Sequence, residues 1–286
     1  MIWTISKKQL EVKINDDVME IVSVKNGGLE FTYQQDSEWK KSNPTMFPIC
    51  GGLIDNKYKH NGLEYSMNRH GFWRELKEWK IVEQNGSSIS FIVNSNGNYK
   101  NIYPFEFKIK YTILINDNDE IEILTEINNL SAKNAMYFNF GHHPSFLVDK
   151  NNGIITYDKV QKFTNDITND GFFKTNMQTT DTWLNKKMED IDFTNGAYIA
   201  DTSLDANEFI YEDEMRKIIM KLNDFPNMLI WSPSNKEKFA CFEPWMGIPD
   251  VDEKRSDREI ANKIGIQSLL PGNSYKNILK IKYIKK

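Results

Sequence analysis

Two of the four histidines in this chain of 286 residues stand side by side in Tyr137-Phe138-Asn139-Phe140-Gly141-His142-His143-Pro144-Ser145-Phe146. The proline after His143 lacks an amide donor and disfavours helical backbone at the residue before it, so that imidazole belongs at a strand end. A third histidine lies in His70-Gly71-Phe72-Trp73-Arg74, beside a flexible glycine and a guanidinium with five donors. A carboxylate closes the apolar run of Phe239-Ala240-Cys241-Phe242-Glu243-Pro244-Trp245, and Pro244 holds Glu243 extended in the same way. A buried glutamate without a partner is costly, so Glu243 is solvated, paired or functional. The histidines also have bland readings, as one hydrogen-bonded core imidazole, one surface imidazole and a surface loop at 70–74. Taken together, the residues suit a general base and a general acid on opposite sides of a small ligand. A glutamate of ordinary pKa, about 4.3, is a ready base at neutral pH, and a histidine near about 6.5 can still give up a proton.

Other chemistries lack their residues. There is no Gly-x-Ser-x-Gly elbow, Cys241 has no neighbouring histidine in sequence, and phosphate-binding loops are missing. Asp250-Val251-Asp252-Glu253-Lys254 resembles the start of a calcium loop, but Arg255 stands where glycine is needed, and the run reads as a solvated face. Two cysteines, Cys50 and Cys241, make neither a disulfide framework nor a cysteine-rich metal site and are expected as buried thiols. Neither a metal nor an organic cofactor is therefore expected. A net charge of −4 with interspersed signs offers no basic face, which argues against nucleic acid as a partner. The amino terminus lacks a charged start followed by a long apolar segment, and no run of about 18 apolar residues occurs; a cytoplasmic, non-membrane protein is expected. Seven tryptophans within 13% aromatics supply core, and flat faces of the kind that stack on sugars.

The elements that must position these residues read as strands. Asn-Gly and Gly-Gly turns at Asn26-Gly27-Gly28, Asn61-Gly62 and Asn85-Gly86 separate short β-prone runs and predict three hairpins. Phe105, Phe107, Ile109, Tyr111, Ile113 and Ile115 alternate with polar residues, as do Ile121, Ile123, Thr125 and Ile127 beyond the turn Asp117-Asn118-Asp119, which predicts an antiparallel pair. Further strands are predicted at 228–231, 239–243 and 279–283, with loops and short strands from Asp149 to about Asp205 and a short helix or exposed loop over Asp250–Lys263. No long amphipathic helix and no repeat stand out. The expectation is an all-β chain, one domain over residues 1–286, built as a large antiparallel β-sandwich.

The order of several pieces carries a resemblance. Gly27-Gly28-Leu29-Glu30, Met46-Phe47-Pro48-Ile49-Cys50-Gly51, His70-Gly71-Phe72-Trp73-Arg74, Tyr103-Pro104-Phe105, Asn139 to Phe146, Cys241 to Trp245 and Leu270-Pro271-Gly272 together resemble the aldose 1-epimerases, or galactose mutarotases, and within them a LacX-like branch. The resemblance implies a supersandwich fold with a monosaccharide in a cleft, and no cofactor. It maps the acid that protonates the sugar ring oxygen onto His143 and the base for the C1 hydroxyl onto Glu243. His70, Arg74 and Trp245 become candidate substrate-binding residues, with Asp201 a candidate for a sugar-contacting aspartate. The family more often has a small residue where this chain has His142. On an extended segment the two adjacent imidazoles point opposite ways, so only one can serve.

The implied reaction is ring opening of a hemiacetal, rotation about C1 and reclosure to the other anomer by a monomer or homodimer. Three other readings use the same residues. They are a two-histidine, one-carboxylate metal site, a glycoside hydrolase needing two carboxylates, and a sugar-binding or regulatory protein without catalysis.

Overall fold

The alternation visible in sequence becomes a paired ribbon: strand Phe107–Ile115 runs antiparallel to Glu120–Asn129, with Ile109 opposite Ile127 and Ile113 opposite Ile123, and this face is buried while its lysines and glutamates face outward. The computed structural model describes residues 1–36, 39–165, 172–173, 179–200, 206–251 and 258–286. Among these, an antiparallel sheet extends from the ribbon in both directions. On one side come Ser88–Asn94 and Lys80–Asn85; on the other, Ser274–Lys285, Arg216–Lys221, Glu208–Glu212, Ile154–Thr164, Tyr198–Ala200, Asn227–Trp231, Phe239–Trp245, Gly141–His142 and Thr45–Met46. A four-stranded sheet of Ile2–Lys7, Leu10–Asn15, Glu20–Asn26 and Leu29–Glu30 lies beside it. The main apolar core draws on residues from Ile5 to Tyr283. The all-β antiparallel sandwich expected from the sequence is the observed fold.

All three hairpins form, and Asn61 and Gly62 both take positive φ, at 51° and 77°, as their two-residue turn requires. The second arm of the first hairpin is shorter than expected. Glu30 Oε1 accepts the backbone N–H groups of Val24, Phe31 and Thr32, so a side chain takes over where the ladder would continue. The larger difference lies in the region read as loops and short strands, where Ile154–Thr164 is an eleven-residue strand at the centre of the sheet. Its register with Asp181–Lys187 shifts between Thr156 and Gln161, and the exposed Asp158-Lys159-Val160 breaks the alternation that would have marked it. In the stretch 250–263, residues 252–257 lie outside the described set and Ile260–Asn262 forms a 3₁₀ turn. No described helix is long and apolar enough to cross a membrane.

Candidate active site

Strand register brings the two distant motifs together. On one edge of Phe239–Trp245, Gly141 pairs with Trp245 and Ser145 pairs with Cys241. Counting inward two residues from each pair sets His143 directly across from Glu243, as a cross-strand pair. The Phe242 N–H donates to the Pro144 carbonyl at 3.1 Å, and the His143 N–H donates to the Pro44 carbonyl at 2.9 Å, so the His-Pro step is fixed from both sides. His143 Nε2 then lies 3.2 Å from Glu243 Oε2. On the other edge Leu229 pairs with Glu243 and contributes an apolar wall.

Aromatic rings surround His143. Trp39 stacks on the His143 ring at 5.1 Å, Trp231 meets it edge-on at 5.8 Å, and His70 approaches at 5.5 Å. His143 is 8% exposed and Glu243 1%. Burial accordingly pushes both toward neutrality: it lowers His143 to about 3, helped by the charges of Lys41 and Arg69, and it raises Glu243 well above the usual carboxylate range against the opposing pull of Arg69. Burial thus disfavours the charged form of each group, while their 3.2 Å approach lets opposite charges on the two offset one another.

His142 points the other way, as alternation requires. Its ring meets Phe140 edge-on at 5.0 Å and Phe225 at 5.8 Å, its Nε2 has no hydrogen-bond partner, and desolvation lowers it to about 3. The two neighbours are thus a cavity-facing imidazole and a core imidazole.

His143 forms part of the wall of a cavity of about 360 Å³, together with Lys41, Asn68, Arg69, His70, Arg74 and backbone from Pro44 to Met46. Local backbone explains how His70 reaches it. His70 and Gly71 both have positive φ, at 69° and 74°, and a Cβ on Gly71 would sit 2.1 Å from the Phe47 carbonyl oxygen, so only glycine allows that turn to close on the 44–50 segment. The His70 N–H donates to the Gly51 carbonyl at 2.8 Å and its Nδ1 accepts the Gly51 N–H at 3.2 Å. An accepting Nδ1 leaves the proton of the neutral ring on Nε2, and burial together with nearby His143 holds His70 well below an ordinary histidine. His70 therefore presents a neutral donor.

The remaining expected site residues fall differently. Arg74 borders the cavity but its Nε is paired with the fully buried Glu20, whose other oxygen accepts the Ser42 N–H at 3.1 Å. Burial raises the Glu20 pKa and Arg74 opposes that rise. Arg74→Ala is expected to lower stability by about 2 kcal/mol by stranding this carboxylate, and Glu20→Gln in the same chain to restore most of it, as read from thermal melts. Trp245 is buried and does not border the cavity; its ring meets His70 at 5.7 Å from behind. Asp201 lies outside the described residues. Trp39, Lys41 and Glu20 belong to the site although no sequence motif singles them out. His143, Cys241 and Glu243 offer ligand atoms within 4.8 Å of one another, a set that a thiophilic divalent ion would fit, although burial raises the Cys241 thiol well above its usual range.

Comparison with known proteins gives a consistent result. A family model described as Aldose 1-epimerase matches residues 1–282. Protein LacX of Lactococcus lactis subsp. lactis, chromosomal form, is 28% identical over 255 residues, covering 80% of this chain and 82% of that one. The crystal structure of a galactose mutarotase related enzyme from Lactobacillus acidophilus superposes with a TM-score of 0.87 at 25% identity, covering 99% and 97% of the two chains. A galactose mutarotase-like protein from Lactobacillus casei shares the fold with a TM-score of 0.86 at 22% identity, covering 99% and 100%.

Proposed function

The chain belongs to the aldose 1-epimerase family, and on that premise we propose that it interconverts the α- and β-anomers of an aldose, with Glu243 as base and His143 as acid. The observation that carries the reading is the 3.2 Å approach to Glu243 of His143, which itself lines a sugar-sized cavity. The two oxygens of a hemiacetal hang on one carbon, so an acid and a base that serve them must be close neighbours. Glu243 takes the C1 hydroxyl proton while His143 Nε2 delivers its own to the ring oxygen; the ring opens to the aldehyde, C1 rotates, and the reverse transfers close it. The pair keeps one proton overall before and after.

Burial favours this chemistry in a specific sense. A raised carboxyl pKa makes the Glu243 carboxylate a stronger base, and a lowered imidazole pKa makes protonated His143 a stronger acid. The proton-transferred state, neutral imidazole with protonated carboxyl, is the one the apolar surroundings prefer. His70 Nε2–H is placed to donate to a sugar oxygen, and Arg74 and Asp201 are further proposed substrate contacts, while Trp245, which does not border the cavity, packs against the His70 ring.

Polarimetry on freshly dissolved α-anomers of a panel of aldoses tests the assignment: mutarotation above the spontaneous rate supports it. One observation favours a second reading, a sugar-binding protein without catalysis: Glu243 does not itself border the cavity. Sugar binding without acceleration would support that reading instead. Proton transfer needs no Lewis acid, so dialysis against a chelator is expected to leave the rate unchanged. A loss restored by zinc would give the His143, Cys241 and Glu243 set a catalytic ion.

A further inference from the structure

One thiol stands beside the acid and the base without a part in the proposed reaction. Cys241 lies two residues before Glu243 on strand Phe239–Trp245, so the two side chains project from the same face. Ser145 pairs with Cys241, which places His143 beside both of them across the ladder. Ligand atoms of His143, Cys241 and Glu243 all lie within 4.8 Å of one another, and no other three such residues converge among the described residues. All three are buried. Although His143 Nε2 approaches Glu243 Oε2 to 3.2 Å, that oxygen accepts no hydrogen bond among the described residues. An imidazole and a carboxylate this close, and out of hydrogen-bond alignment, can both turn a lone pair on a common point. We propose that this trio binds one thiophilic divalent cation, zinc by its donor set, and that the bound ion switches the acid and base off. The binding stands apart from the epimerase reading; the inhibition rests on it.

Zinc takes nitrogen, sulfur and oxygen donors at about 2.0 to 2.3 Å in a tetrahedron, which spaces the donors about 3.3 to 3.8 Å apart. Side-chain closure of about 1 Å at the widest separation therefore completes the site. A thiolate, a carboxylate and a neutral imidazole cancel the two charges of the ion, so surroundings that disfavour each anion alone accept the assembled set. The thiol proton, and any proton held by Glu243, leave to solvent as the metal bonds form. Lys41 and Lys150 support the thiolate, against the burial that raises it. Tyr33, Phe239, Trp39 and Trp231 make an apolar shell beside the sulfur, which limits the access of competing water. Ser145 Oγ is committed to the Ser42 carbonyl at 2.5 Å, so the protein supplies three ligands and water the fourth. His143 also lines the cavity, which gives the ion a way in. With its Nε2 lone pair on zinc, His143 has no proton to deliver to a ring oxygen, and a coordinated Glu243 is a weaker base.

The test adds zinc chloride to the chelator-stripped full chain and reads binding by titration calorimetry and mutarotation by polarimetry. One zinc per chain is expected, with the rate falling about a hundredfold at saturation and recovering when chelator is added. Cys241→Ala should keep the zinc-free rate, because the thiol takes no part in the proton transfers, and weaken zinc binding about a hundredfold. Cys50→Ala, at the other buried thiol, should change neither. Cobalt(II) in place of zinc should give a sulfur-to-metal charge-transfer band in the parent that survives Cys50→Ala, which decides the site even if Cys241→Ala fails to fold. No bound zinc, binding untouched by Cys241→Ala, or a rate that zinc leaves alone or raises overturns the inference while leaving the epimerase reading intact. If no sugar is turned over, the epimerase reading fails, and calorimetry with the cobalt spectrum alone decides whether the trio holds the metal.

Discussion

Glu243→Gln is expected to slow mutarotation by about a thousandfold with little change in stability, the scale of removing one positioned proton transfer. The amide keeps the shape of the side chain but has no basic oxygen. Because burial disfavours the charged carboxylate at Glu243, a neutral amide enters the same surroundings without adding a buried charge. The sign of the stability effect follows from linkage. A carboxyl whose folded pKa is raised favours folding below its unfolded pKa and loses that support as pH climbs from about 4.5 toward the folded value. Glu243→Gln should therefore match the parent below about pH 4.5 and surpass it as pH rises. Polarimetry and thermal melts across pH read both effects; a melt collapsing at pH 7, or a rate within about tenfold of the parent, would contradict the role of this residue as base.

The adjacent histidines are expected to separate cleanly. His143→Ala should lower kcat by about 10² to 10⁴, whereas His142→Leu should retain most of it, because His142 faces Phe140 and Phe225 and not the cavity. His142 should instead declare itself in acid. Its folded pKa, about 3, lies below the ordinary 6.5, so the unfolded chain binds a proton first and stability drains away as pH falls from 6.5 toward 3. At pH 4 the loss is about 3 kcal/mol for this one imidazole, and His142→Leu should remove it. Activity has a matching signature. His143 is lowered to about 3, so kcat/KM should cross pH 6.5 without the inflection that an ordinary catalytic histidine gives. Equal activity losses in the two histidine variants would break this account of which imidazole serves.

Much of the fold was legible because its signals are local. The alternation of Phe107 to Ile115 and the Asn61-Gly62 turn each specify an element within a few residues. Ile154–Thr164 was not legible, since its irregular register and exposed Asp158-Lys159-Val160 interrupt the period on which a strand is recognised. In the site, Pro144 and Pro244 announced that His143 and Glu243 sit on extended backbone, and that much could be read without coordinates. Their contact could not, because it depends on the register that places Gly141 opposite Trp245, which only the assembled sheet fixes. Arg74 illustrates the converse. Its place in a motif suggested a sugar contact, but a buried carboxylate from Glu20, in a strand of a different sheet, claims part of its guanidinium. Lys41 and Trp39 carry no motif at all and acquire their roles from packing on His143 and the cavity.

The central claim is that His143 and Glu243 act in one coupled step, and a double-variant cycle measures this directly by anomer-exchange NMR on the parent, His143→Ala, Glu243→Gln and the two combined. If each transfer depends on the other, the combined variant should be no slower than the slower single variant, and all three should fall far below the parent. Losses that simply multiply, or a parent no faster than the sugar in buffer, would contradict it.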